Sequence, residues 1–242
     1  IILIFLEKQT IVMKHFEFFL SQNFEKRILI NIFKNDETKK IKDRAKQYKF
    51  PIKLAKDIKK LPINICENKI DNFLNISYKR DYKKMNISLK KFIDYWDNNE
   101  NYYFDKLEKF FNKQIPLYEV LLSRYVAGIS DWEGNHICTN IFSFKWKKYC
   151  NHNYCLLYEI VLSEIFKLIK IKNNQLKDND IWIMSELSSF VILHKLFDEF
   201  SFIKKTYYNQ IDCLINKVYL IYDNTNNIND FLENIMNIRI NK

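Results

Sequence analysis

Glycine and proline are scarce in this chain, which has 2 Gly and 3 Pro among 242 residues. Both residues supply the turns of many-stranded β folds, so their scarcity disfavours a β-sandwich and favours long helices. Gly128 and Gly134 are the only glycines, so the sequence cannot supply a glycine-rich loop that cradles phosphates. P-loop and Rossmann enzymes are therefore excluded, while an apolar share of 48% is sufficient for a hydrophobic core.

The spacing of apolar residues predicts a mainly α protein of the α+β class with a small β-sheet. Helices are expected over residues 10–33, 88–96, 102–111, 154–171, 181–202, 204–222 and 229–240. Short strands are expected within residues 62–80, 117–126 and 137–146. We place a domain boundary near Ser88, with an N-terminal helix and strand-containing segment in 1–87 and a helical domain in 88–242.

The chain is basic, with a formal net charge of +10 and a sequence pI of about 9.2. Such a charge suits a nucleic-acid or anionic-membrane partner. The lysines, however, are spread along the chain among acidic residues, which favours the interpretation that they lie on solvated helix faces. Protein partners are therefore expected, and nucleic acid remains an alternative partner.

Cysteine content and hydropathy indicate where the protein resides. Five cysteines at irregular positions favour a reducing, intracellular compartment, cytoplasmic or nuclear, over a disulfide framework. No apolar run approaches the roughly 20 residues of a bilayer span, and no signal-peptide pattern is present, so we expect no membrane span. The first residue, Ile1, is not methionine, so a fragment or a processed product is one expectation for this chain.

One local group of residues has the side chains that zinc prefers. It comprises His136, Cys138, Cys150, His152 and Cys155. The spacing contains no C-x-x-C pair, so buried or incidental residues are the favoured interpretation and a structural zinc is the alternative.

Two glutamates stand in the middle of the most apolar predicted helices. Glu164 lies in the helix over 154–171, and Glu186 lies in the helix over 181–202. A carboxylate surrounded by apolar residues needs a partner, because burying an unpaired charge is costly. Each glutamate either faces solvent or a nearby lysine, or belongs to a functional site.

The spacing of these glutamates resembles that of the M1 family of zinc aminopeptidases, which have an H-E-x-x-H helix and a third metal ligand, a glutamate, after an eighteen-residue spacer. Ser163 and Lys167 stand at the two histidine positions, and Glu164 stands at the catalytic glutamate position. The eighteen residues from Leu168 to Ser185 then lead to Glu186 at the third ligand position.

Upstream segments extend this resemblance over about residues 110–200. Residues 110–117 are similar to the family's segment entering a strand beside the active site, and 140–142 resemble the residues just after the exopeptidase motif in one branch of the family. The loop 127–135 lies where the G-x-M-E-N motif is expected, with Glu133 as the candidate for binding the substrate amine. The resemblance implies a thermolysin-like helical domain, and it includes the metal-less form found in a subunit of the general transcription factor TFIID.

The departures from the family pattern imply that the zinc chemistry is lost. Zinc in the family's site needs two imidazoles one helical turn apart. In this chain, Ser163 at the first position is a poor ligand, and the Lys167 ammonium at the second repels a dication. We therefore expect no cofactor and a Glu164–Lys167–Glu186 cluster in which the ammonium replaces the metal. The implied function is a non-catalytic aminopeptidase-like scaffold or interaction domain. The alternatives are a divergent zinc aminopeptidase that cleaves N-terminal residues from peptides, and an unrelated helical interaction module.

Overall fold

The computed structural model describes residues 9–126, 129–131, 133–142, 152–201, 203 and 209–238. Eight helices are assigned in this part of the chain. They are α1 (Gln22–Asn35), α2 (Ile41–Gln47), α3 (Ile52–Lys60), α4 (Ile63–Phe111), α5 (His152–Lys172), α6 (Asp178–Leu196), α7 (Ile215–Asp223) and α8 (Ile228–Met236). Short 3-10 turns span Asp198–Phe200 and Asn209–Leu214. The expected mainly α class with a small sheet is confirmed.

Five strands form one sheet in the order β1-β2-β3-β5-β4. The strands are β1 (Gln9–Val12), β2 (Phe16–Leu20), β3 (Tyr118–Ser123), β4 (Ile129–Asp131) and β5 (His136–Asn140). β1 and β2 form an antiparallel hairpin in which Val12 is opposite Glu17. The strands expected within 117–126 and at the start of 137–146 are confirmed, and residues 143–146 lie outside the described part.

The helix expected over residues 10–33 is wrong in its first half. Phe16 and Phe18 alternate on β2 and are both fully buried, as the two-residue period of a strand requires. The Ser21 hydroxyl then accepts a hydrogen bond from the Phe24 backbone N–H and begins α1. The period-two pattern and this N-cap outweigh the helical spacing of the apolar residues.

The strands expected within residues 62–80 are wrong, because α4 occupies this stretch and runs without a break to Phe111. Its buried residues recur at helical steps of three or four; they include Cys66, Ile70, Leu74, Tyr78, Met85, Leu89, Phe92 and Trp96. The break expected at 97–100 is absent, and Ser88 lies inside the helix.

The chain divides into two compact units. The N-terminal unit comprises Ile1–Asp97, Glu119–Ile129 and Cys138–Ser143, and the C-terminal unit comprises Asn98–Tyr118, Ser130–Ile137 and Phe144–Lys242. In the N-terminal unit, the Phe16 ring meets Trp96 at a centroid distance of 4.8 Å and the Phe18 ring meets Phe92 at 4.9 Å. These aromatic contacts join β2 to α4.

The C-terminal unit is built on the packed helix pair α5 and α6, against which α7 and α8 lie. α6 is buried along most of its length, as expected from its apolar sequence. It ends at Leu196, earlier than the expected residue 202, because Phe197 takes an extended backbone conformation. Of the helix expected over 204–222, residues 204–208 lie outside the described part and the α-helical portion begins at Ile215. No helix among the described residues is long and apolar enough to cross a membrane.

Candidate functional site

Glu164 lies in the middle of α5 and is only 1% exposed. Three donors surround its carboxylate. The Tyr118 hydroxyl donates to Oε1 at 2.6 Å, the Lys167 ammonium lies 3.1 Å from Oε1, and the Lys113 ammonium lies 2.6 Å from Oε2. We call Lys113, Tyr118, Glu164 and Lys167 the Glu164 cluster; all four belong to the C-terminal unit. Both carboxylate oxygens are therefore engaged.

The electrostatics of this cluster favour an ionised glutamate. Burial alone would raise the pKa of Glu164, but the hydrogen bonds from Lys113 and Tyr118 and the charges of the two ammonium groups hold it below its ordinary value. Burial and the neighbouring Glu164 carboxylate raise the pKa of the Tyr118 hydroxyl. Tyr118 is therefore a neutral donor, and Glu164 is a poor proton acceptor.

The loop that resembles the exopeptidase motif lies against α5. The Lys167 ammonium donates to the Asn135 side-chain oxygen, and Lys170, one helical turn further, pairs with Glu133. Asn135 has a positive φ of 58°, a conformation that asparagine adopts more readily than most residues. Two lysines one turn apart thus hold the loop, and the candidate position for the substrate amine already has a cation.

Glu186 lies on α6, is 4% exposed and has a different partner. The Tyr158 hydroxyl is 2.5 Å from Glu186 Oε2 and 3.0 Å from the Glu186 backbone oxygen. Burial and, to a lesser extent, the charge of Glu159 raise the pKa of Glu186 to about 8, against the hydrogen bond from Tyr158, which lowers it. The Tyr158 hydroxyl thus donates to the side-chain carboxyl group and to the backbone carbonyl of the same residue.

The prediction of a Glu164–Lys167–Glu186 cluster is therefore correct for Glu164 and Lys167 and wrong for Glu186. α5 and α6 are neighbours and the Glu164–Lys167 contact forms. In the described structure, however, the hydrogen bonds of Lys167 go to Glu164 and Asn135, whereas Glu186 is bonded to Tyr158. Glu186 is held by a tyrosine hydroxyl and not by the Lys167 ammonium group.

The family's zinc does not fit this site. Ser163 and Glu164 are buried at 1% exposure, and the Lys167 ammonium would oppose a dication. The third ligand position, Glu186, is directed to Tyr158.

The cysteine and histidine group does not form a metal site among the described residues, where no three His, Cys, Asp or Glu side chains are placed to hold an ion. His136 is 3.4 Å from Asp131, Cys138 is buried in the N-terminal unit, and Cys155 is half-buried on α5. Cys150 and the side chain of His152 lie outside the described part.

Sequence reasoning missed three members of the two glutamate environments: Lys113, Tyr118 and Tyr158. Lys113 lies in the 110–117 segment and Tyr118 follows it directly; the sequence predicts only that this segment enters a strand. A lysine and a tyrosine at that entry were the available signal for partners of a buried acid. Nothing in the sequence distinguished Tyr158 from the other aromatic residues of α5.

Comparison of the chain with protein-family models, with curated proteins and with solved structures gives no match.

Proposed function

We propose that the C-terminal unit is a non-catalytic aminopeptidase-like domain that acts as a scaffold or interaction module. The observation that carries the proposal is the Glu164 cluster. The glutamate at the general-base position is excluded from solvent and held by two ammonium groups and a tyrosine hydroxyl.

A general base must reach a water molecule and must accept its proton near the working pH. Glu164 meets neither requirement. Its two oxygens are already hydrogen-bonded or ion-paired, and its pKa is held below the ordinary value by those same partners. Its partners instead make it a structural carboxylate that anchors Lys113 and Lys167.

Three contacts support a relationship to the aminopeptidase fold. The strand-entry residue Tyr118 meets Glu164, the motif-like loop meets Lys167 through Asn135, and α5 packs on α6. These are the segments that resemble the family in sequence, and they meet in the same unit.

The second candidate is a divergent zinc aminopeptidase, which the packing of the motif-like loop against α5 supports only as a relationship in fold. It requires Glu186 to leave Tyr158 and the Lys167 ammonium to leave the position of the second histidine. The hydrogen bond that holds Glu186 to Tyr158 and the ion pair that holds Lys167 to Glu164 both oppose that rearrangement.

The two candidates are separated by measurements on the purified full chain. Metal content is determined by mass spectrometry, and hydrolysis is assayed with a panel of aminoacyl-coumarin substrates with and without added zinc. We expect less than 0.1 zinc per chain, no hydrolysis above a blank, and a thermal midpoint that a chelator leaves unchanged. One zinc per chain together with turnover that Glu164→Gln abolishes would overturn the proposal.

A further inference from the structure

The exposed side of α4 in the N-terminal unit is strongly basic between residues 79 and 91. Six cationic residues lie there, and all six are exposed: Lys79, Arg80, Lys83, Lys84, Lys90 and Lys91. No acidic residue occurs between Asp81 and Asp94. Although the basic residues are dispersed along the whole chain, six of them are therefore clustered on one stretch of one helix, which is the condition for an electrostatic binding surface.

Helical geometry arranges these cations in two rows. At 3.6 residues per turn, Lys79, Lys83 and Lys90 fall within about 40° of one another, and Arg80, Lys84 and Lys91 fall within a second arc of about 40°. The centres of the two arcs are about 100° apart. Ile76 and Ile87 lie between the rows and are 68% and 50% exposed. We call this surface the two-row basic face.

The cations have few acidic partners of their own. Arg80 pairs with Asp81 at 2.9 Å, whereas the five lysines make no ion pair with any described residue. The pairs Lys79/Lys83 and Arg80/Lys84 are like charges at i,i+4, and each costs an isolated helix about 0.2–0.5 kcal/mol. The arrangement therefore brings no local benefit to the helix, which points to stabilisation by an external polyanion.

We propose that the two-row basic face binds the major groove of a DNA duplex through its phosphates. A duplex presents two phosphate strands on either side of a groove that admits one α-helix, and each row faces one strand. The 13 residues extend over about 18 Å at 1.5 Å per residue, roughly five base-pair steps of the duplex. Ile76 and Ile87, the central residues, offer only apolar contacts to base edges, so binding has little sequence preference.

Other anionic partners match this surface less well. A bilayer surface requires a continuous apolar face, but the two isoleucines are 11 residues apart, or about 16 Å along the helix. Duplex RNA has a deep, narrow major groove that a helix does not enter. An acidic peptide presents one line of charge and matches a single row. These partners are the competing outcomes of the test.

The test measures binding of the full chain to a fluorescein-labelled 20-base-pair DNA duplex by anisotropy over a series of KCl concentrations. Six phosphate contacts predict that log K falls with log[KCl] at a slope of about −5. The variant Lys83→Gln/Lys84→Gln removes one cation from each row and is expected to reduce the slope to between about −3 and −4. All the altered side chains are exposed, so circular dichroism is expected to show an unchanged fold.

The matched control is Lys42→Gln/Lys46→Gln, which removes the same charge from exposed positions on α2 of the same unit. The control is expected to keep the wild-type slope. Equal loss in both variants would assign binding to net charge alone and overturn the proposal. Tighter binding to duplex RNA, to a poly-glutamate peptide or to phosphatidylserine vesicles than to the DNA duplex would overturn it as well.

Discussion

Removing both cations of the Glu164 cluster is predicted to reverse the pH dependence that Glu164 gives to stability. In the wild-type protein the pKa of Glu164 is lowered, so its stabilising contribution is present above the unfolded pKa of about 4.3 and is lost as pH falls through the folded pKa. In Lys113→Met/Lys167→Met, burial is opposed only by Tyr118, and the folded pKa rises above the unfolded value. Ionised Glu164 then destabilises the fold as pH rises.

The magnitude is set by the burial of the carboxylate. Glu164 is 1% exposed, while the side chains of Lys113 and Lys167 are 37% and 21% exposed. The main penalty is therefore an unpaired buried carboxylate, which costs about 3–5 kcal/mol. Either single variant keeps one cation and loses less. Glu164→Gln/Lys113→Met/Lys167→Met has no buried charge, keeps an acceptor for Tyr118, and is expected to be more stable than the double variant at pH 7.

The assay is urea unfolding followed by circular dichroism at several pH values between 4.5 and 7.5. Because the other titrating groups are common to both proteins, the difference between wild type and the double variant isolates the cluster. That difference is expected to grow with pH and to reach about 3–5 kcal/mol near pH 7. A difference that is independent of pH, or below about 1 kcal/mol at pH 7, would refute the assignment of Lys113 and Lys167 as the counter-ions of Glu164.

Two other buried side chains give measurable expectations. Glu186→Gln should raise stability at pH 8 more than at pH 5, because burial raises the pKa of Glu186 to about 8. As pH rises from the unfolded pKa toward that value, the stability of the wild-type protein falls by up to about 1.4 kcal/mol per pH unit. An equal effect of the substitution at both pH values in thermal unfolding would contradict this. Trp96→Ala removes a fully buried ring that contacts Phe16 and should cost about 3–5 kcal/mol in urea unfolding, whereas a loss below 1 kcal/mol would exclude a core role.

The periodicity of apolar residues predicts correctly the helices in which buried side chains recur at regular helical steps. It fails where a second sequence pattern, such as a helix-end signal or a strand-like alternation, points to another structure. α5 and α6 were predictable because nearly every turn is apolar. The sequence predicts two helices where α4 is continuous, because Asp97, Asn98 and Asn99 resemble a helix end. In the structure, Trp96 and Glu100 are both buried, so the buried side of the helix continues across these residues. The β1–β2 hairpin was missed because Phe16 and Phe19 fit a helical step as well as Phe16 and Phe18 fit a strand.

In the candidate site, the sequence predicts some side-chain contacts and not others. The spacing of Glu164 and Lys167 predicts their contact, since residues three apart on a helix are neighbours. The hydroxyl that holds Glu186 belongs to Tyr158, 28 positions away on another helix, and such a partner depends on how the helices pack. Sequence spacing therefore predicts partners within an element and not those between elements.

Three of the four buried glutamates in the described part of the chain show that a buried acid indicates function only once its partners are known. Glu164 is balanced by ammonium groups, whereas Glu186 accepts from the Tyr158 hydroxyl and burial raises its pKa to about 8. Glu25, in the N-terminal unit, accepts from the hydroxyls of Tyr78 and Ser123 and, at 2.7 Å, from the Tyr125 backbone N–H, while burial raises its pKa. Each solution engages the oxygens that a catalytic carboxylate would leave open to substrate and water. The same physical rule, that a carboxylate removed from water must be compensated, thus accounts for all three acids as structural groups.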